Sequence, residues 1–176
     1  LNLLEQRGFL RLFVNDLVQQ DEPLQRSIIS PDMLKLIYVY ESKMSLFTHL
    51  AQNTPGAQKL VAADIIPRLT LCQFIDQRPE PTGSADHDSW FPSIANRYHQ
   101  LLIPVLELIS SLLTTLPQNA TLVGQILEFI SAHSELFSVL LRNRVTDFSL
   151  ESLKELRLCT LIFYRVSKYP ELCQEK

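Results

Sequence analysis

Glycine is scarce in this chain: four residues among 176, widely separated. Nucleotide cradles need several glycines close together, so a phosphate-binding loop is excluded. Cysteine is equally thin. Cys72, Cys159 and Cys173 are odd in number and share no paired spacing, which argues against a disulfide framework and for reduced thiols in a cytosolic or nuclear compartment. His49, His87, His99 and His133 are scattered, with no two of them one helical turn apart as a helical metal site requires. Asp86, His87 and Asp88 are adjacent, yet three neighbouring side chains in an acidic stretch read as a solvated loop rather than a cation site. No serine sits in a Gly-x-Ser-x-Gly elbow. The expectation is a chain that is not an enzyme and takes no cofactor or metal.

Charge of one sign is missing as well. The 16 basic and 19 acidic residues leave a net charge of -3 and a pI near 5.8, which gives no general attraction for phosphate backbones or anionic membranes. Nucleic acid is therefore not an expected partner. The most apolar run, Leu101 to Leu116, is interrupted by Pro104 and Glu107 and falls short of the ~20 apolar residues of a membrane span. No stretch reads as a secretory leader, so a soluble protein without direct membrane insertion is expected. A start at Leu1 and a finish at Gln174, Glu175 and Lys176 predict a piece cut from something longer.

What is present is ordinary globular material, 46% hydrophobic and 20% charged, arranged with helical periodicity and little strand-like alternation. Arg97 to Leu116 reads as one long helix around which the rest is built. Leu101, Leu102, Val105, Leu106, Leu108, Ile109, Leu112, Leu113 and Leu116 form a broad apolar face. Arg97, Gln100, Pro104, Glu107, Ser111, Thr114 and Thr115 form the opposite stripe. Pro104 thus falls where the carbonyl it strands, that of Gln100, can turn to water, and it bends the helix rather than ending it. A face this wide needs apolar neighbours on more than one side, the requirement of a layered helical stack.

In chain order, Leu3 to Val18 predicts two short helices broken at Gly8, and Asp21, Glu22 and Pro23 a turn. Ser30, Pro31 and Asp32 start a long helix to about Asn53. Leu34, Ile37, Tyr38, Glu41, Met44, Ser45 and Thr48 share one side of it, and Lys35, Ser42, His49 and Gln52 lie on another. A short helix from Pro55 to Ala63 and another from Asp64 to about Ile75 follow. Residues 76–89 change to a flexible acidic loop, after which Trp90 and Phe91 are expected to anchor the returning chain. Asn119 should cap the next helix rather than carry a glycan, with Gly124 allowing a close neighbour. Ser134 and Ser149 open the last two helices. Leu3 to Leu12 aligns faintly with Leu60 to Leu69. Short helix, corner, longer helix is the habit of armadillo and HEAT units. The fold expected is all-α, with residues 1–176 forming part of one α-solenoid of seven to nine helices.

The last helix carries the functional anomaly. Glu151, Lys154, Glu155, Arg165 and Lys168 define a solvent side, and Leu158, Leu161 and Ile162 fall among them rather than with Leu153, Leu156, Cys159, Phe163 and Val166. Two readings stand: the second apolar side packs on a following helix, or it is a groove for a partner's amphipathic helix. Ile103, isolated on the polar side of the central helix, is a candidate of the same kind.

Tyr40-Glu41-Ser42-Lys43-Met44, Gly56-Ala57 before Leu60, Arg78-Pro79-Glu80, Arg97-Tyr98 with Gln100, Leu102 and Pro104, and His133-Ser134 together give the chain its family likeness. It resembles the C-terminal region of the giant inner-ring scaffold nucleoporins over residues 1 to about 170. The loop at 81–89 does not share the likeness. The resemblance implies a long helical solenoid at the nuclear envelope, in the nuclear pore complex, supporting nucleocytoplasmic transport without catalysis. It implies as partners the adaptor nucleoporin of the inner ring, the Phe-Gly linker nucleoporins and, indirectly, the central channel trimer. The paralogous inner-ring scaffold and a HEAT-repeat nuclear transport receptor are the alternatives.

Overall fold

A computed structural model describes residues 8–79, 90–142, 149–169 and 171. Every regular element among them is helical. The nine α-helices among the described residues are α1 (Phe9–Gln19), α2 (Asp21–Ile29), α3 (Leu34–Ala51), α4 (Thr54–Ala62), α5 (Ile65–Thr70), α6 (Ile94–Thr115), α7 (Ala120–Ala132), α8 (Ser134–Arg142) and α9 (Leu150–Val166). Two 3-10 turns, Pro31–Met33 and Gln73–Asp76, join α2 to α3 and follow α5.

The helices start where short polar side chains can satisfy free amides. Asn53 accepts from Gly56 N at 2.9 Å, Ser93 from Asn96 N at 3.1 Å, Asn119 from Leu122 N at 3.0 Å and Ser149 from Ser152 N at 3.1 Å. Gly8 precedes α1 with φ 68°, a left-handed corner that glycine adopts without penalty. Gly56 is required for a different reason: a Cβ there would lie 2.1 Å from the Leu50 carbonyl oxygen, because α4 starts tight against the end of α3.

The long helix expected at the centre is there. α6 makes its most extensive contacts with α3 on one flank and α9 on the other, and also touches α2, α4 and α7. The three longest helices, α3, α6 and α9, thus lie side by side in chain order. Behind them α1 packs on α5, α5 on α7 and α7 on α8. Two rows of helices sharing one apolar seam make an all-α solenoid. The seam is continuous, with Tyr40, Phe47, Phe74, Tyr98 and Phe129 among its largest fully buried side chains. Each large apolar side chain so buried contributes about 1.5–3 kcal/mol. Tyr40 meets Phe74 edge to face at 5.5 Å. Both buried tyrosines keep their hydroxyls satisfied: Tyr40 donates to Leu101 O at 3.0 Å and Tyr98 to Ile75 O at 2.7 Å.

Several local expectations are corrected. Asp21, Glu22 and Pro23 are the first turn of α2 rather than a turn between helices. Asp21 also accepts from Phe74 N at 3.0 Å, which fastens the 3-10 turn and splits the helix expected to run to Ile75. The buried face of α3 is Ile37, Tyr40, Met44, Phe47 and Ala51, while Tyr38 stays half exposed, because α6 and α4 approach from the Tyr40 side. Trp90 is fully exposed and Phe91 half exposed, so neither anchors the chain through burial. A Cβ on Gly124 would meet nothing within 4 Å among the described residues, so none of these approaches closely there. Asp76, Gln77 and Arg78, which open the expected loop, are fastened to His133, Gln25 and Glu155. Residues 80–89 lie outside the described residues, as do residues 1–7, Cys173 and the two ends on which the reading of a cut piece rests.

Candidate functional site

Arg97, placed by periodicity on the solvent stripe of α6, is buried at 4% exposure. Its guanidinium donates to Ile28 O at 2.9 Å, to Ile29 O at 3.0 Å and to Pro92 O. It therefore closes the C-terminal carbonyls of α2, where a cation is favoured by the helix dipole. Burial lowers the Arg97 pKa from its ordinary value, and the charge is held by these acceptors.

Two residues on, His99 joins a second buried cluster. Glu155 of α9, expected among the solvent charges, has no exposure at all. It accepts from Arg78 Nη1 at 3.2 Å, and its other oxygen lies 2.6 Å from His99 Nδ1. Sequence reasoning missed this because it sorted α9 by charge. The spacing Glu155, Cys159, Ile162, Val166 is itself a helical stripe, and that stripe is the buried one. One carboxylate thus ties α9 to α6 and to the chain leaving the 3-10 turn. Asp76 and His133 make a parallel tie at 2.8 Å. Histidine backed by a carboxylate is half of a catalytic relay, but among the described residues no serine, threonine or cysteine hydrogen-bonds to His99. The cluster is a fastening. The Cys72 and Cys159 thiols are buried, which pushes each pKa up to about 12, and they are no nucleophiles at neutral pH.

Among the described residues nothing covers the outer side of the α3, α6 and α9 row. A trough of about 630 Å³ is lined by Glu41, Ser45 and His49 of α3, by His99, Gln100, Ile103, Pro104 and Glu107 of α6, and by Glu151 and Lys154 of α9. A second hollow of about 430 Å³ shares Thr48, Gln52 and Glu107 with it and continues over Ser110, Ser111, Thr114 and Thr115 to Leu158. The cause is the polar stripe of α6. Small hydroxyl side chains and Pro104 leave the middle helix low between two flanking helices, so the row is grooved rather than flat. Across the trough Lys154 Nζ pairs with Glu107 Oε1 at 2.7 Å. Burial raises the Glu41 pKa, and Gln100 Oε1 is buried without a partner.

The four residues singled out in the sequence do not form one surface. Ile103, at 8% exposure, lies on the trough floor, and Leu158 packs against the core while lining the second hollow. Ile162 is at 1% exposure, inside the buried face of α9. Leu161 is half-buried and lines neither hollow. No helix among the described residues is long and apolar enough to cross a membrane.

Comparison with known proteins agrees with the fold. A family model described as nuclear pore complex scaffold, nucleoporins 186/192/205, matches residues 1–167. Among curated proteins the chain is similar to the nuclear pore complex protein Nup205 of Homo sapiens, 36% identical over 171 residues, and to that of Drosophila melanogaster, 28% identical over 169. Each match takes in 93% of this chain and 8% of the relative, so the chain spans a small part of the length of the proteins it matches. A layered helical stack fastened by buried polar ties, matched almost end to end by that model, belongs to the Nup192 family of nuclear pore complex scaffold nucleoporins.

Proposed function

We propose that this chain is a docking layer of the nuclear pore scaffold, holding other nucleoporins in the trough over α6 and thereby supporting nucleocytoplasmic transport. The expected partners are the adaptor nucleoporin of the inner ring and the Phe-Gly linker nucleoporins, with the central channel trimer held indirectly. The observation that carries the reading is the open channel between α3 and α9, floored by Ile103 and Pro104 and extended to Leu158. Apolar anchors read at helical spacing in a groove are a recurring mode of peptide recognition. The family match supports a scaffold over a soluble transport receptor. Proteins that act by holding others need surface and rigidity rather than reactive groups, and the buried ties at Glu155 and Arg97 supply the rigidity.

The test fills the second hollow, which continues the trough along α6. Ser111→Trp in the full-length protein places a large ring on the low part of α6 without touching the core. Co-purification with the adaptor and linker nucleoporins should fall at least tenfold, with the fold intact by circular dichroism. Retention at the wild-type level sinks the docking reading.

A further inference from the structure

We infer that the trough takes a basic amphipathic helix, with cationic side chains on Glu41 and Glu151 and an apolar anchor on Ile103 and Pro104. This rests on the docking reading above and adds the chemistry of the partner. The charged groups facing the trough are Glu41, Glu107, Glu151 and Lys154, with His49 and His99. Lys154 is bound to Glu107, and His99 is turned onto Glu155. Two carboxylates, Glu41 and Glu151, are left with no ion pair among the described residues. Glu41 already loses water to burial, which raises its pKa, and an incoming cation restores what it has lost. Gln100 Oε1 is buried in the same wall with no donor, an acceptor that a partner's N–H satisfies. The unmet charge is negative, so anionic segments are repelled.

The shape selects a helix. Along the floor, Gln100, Ile103, Pro104, Glu107, Ser111, Thr114 and Thr115 recur every three or four residues, a ridge spacing that another helix can interleave. From Asn96 to Thr115 the floor runs for about 30 Å at 1.5 Å per residue, room for a helix of about 18 residues. The hydroxyl-lined end lets a backbone come close, and the acidic end holds the charged side chains. Orientation is thereby fixed as well as affinity.

The probe is a fluorescein-labelled synthetic helix of about 18 residues, leucines on one face and arginines flanking them, titrated against the full-length protein by anisotropy. Its twin carries glutamates in place of the arginines. The arginine helix should bind, and the Glu41→Gln, Glu151→Gln pair should weaken it roughly five- to tenfold, as two partly exposed ion pairs allow. Glu22→Gln, distant from the trough, should change nothing, and the glutamate helix should bind at least tenfold more weakly. Equal binding of both helices, or no loss in the double variant, overturns the inference. So does absence of binding to the full-length protein, which would mean that another stretch of the same protein occupies the trough. The two claims fail separately: if Ser111→Trp releases the nucleoporins while the carboxylate pair is without effect, docking stands and the basic helix falls.

Discussion

At Glu155 a carboxyl group sits where no water reaches, and Arg78 and His99 meet its two oxygens. Removing one member of a buried set leaves the others without compensation, so Glu155→Ala should cost about 3–5 kcal/mol locally. Hydrogen exchange in the full-length protein would read this as faster exchange across α9. Glu155→Gln, which keeps shape and an acceptor, should lose less. Equal protection in wild type and Glu155→Ala would refute the tie. The two thiols give a pH prediction of definite sign. Burial raises Cys72 and Cys159 from 9.0 to about 12, so between these values the unfolded chain has released protons that the folded chain retains. Their stabilisation is complete below pH 9 and is lost as pH rises toward 12. By pH 10 each thiol withdraws on the order of 1 kcal/mol. Alkylation at pH 9 should be slow until the fold opens, and a Cys72→Ala, Cys159→Ala variant should show a shallower alkaline decline. None of this was legible in a helical wheel, where charge outweighed spacing at Glu155 and Arg97.

At the scale of the element, starts were legible and faces less so. Asn119 and Ser149 are short polar residues before apolar runs, and both cap as expected. Asn119→Ala should cost about 1 kcal/mol, seen as fraying of the first turn of α7 in hydrogen exchange. Ser30 follows the same pattern but makes no side-chain cap, and its proline opens a 3-10 turn instead. The α3–α4 corner depends on Gly56, whose missing side chain leaves room for the Leu50 carbonyl. Gly56→Ala must move backbone, and a loss of about 2 kcal/mol or more should follow, visible as a lower melting temperature and weaker protection at residues 50–57. Full retention would mean the corner is looser than its geometry. The buried side of α3 could not be read from α3 alone, because Tyr40 and Phe47 face inward only by virtue of where α6 lies.

Across the whole molecule, the all-helical class and the central place of α6 follow from one feature of the sequence, an apolar face too broad for a single neighbour. Which side of the row remains open did not follow, since that depends on the depth of α6 between two flanking helices. It was Ile103 that reached the trough and Leu158 the second hollow, while Ile162 lay inside the buried face of α9. The family match makes the chain a piece of scaffold, and a scaffold is defined by what it holds. The most direct measurement is a cryo-EM map of the assembled nuclear pore at side-chain detail around α3, α6 and α9. The account predicts helical density from another nucleoporin lying along α6, with a basic side chain at Glu41 or Glu151. A trough filled by a segment of the same protein, or open to solvent in the assembled pore, would contradict it.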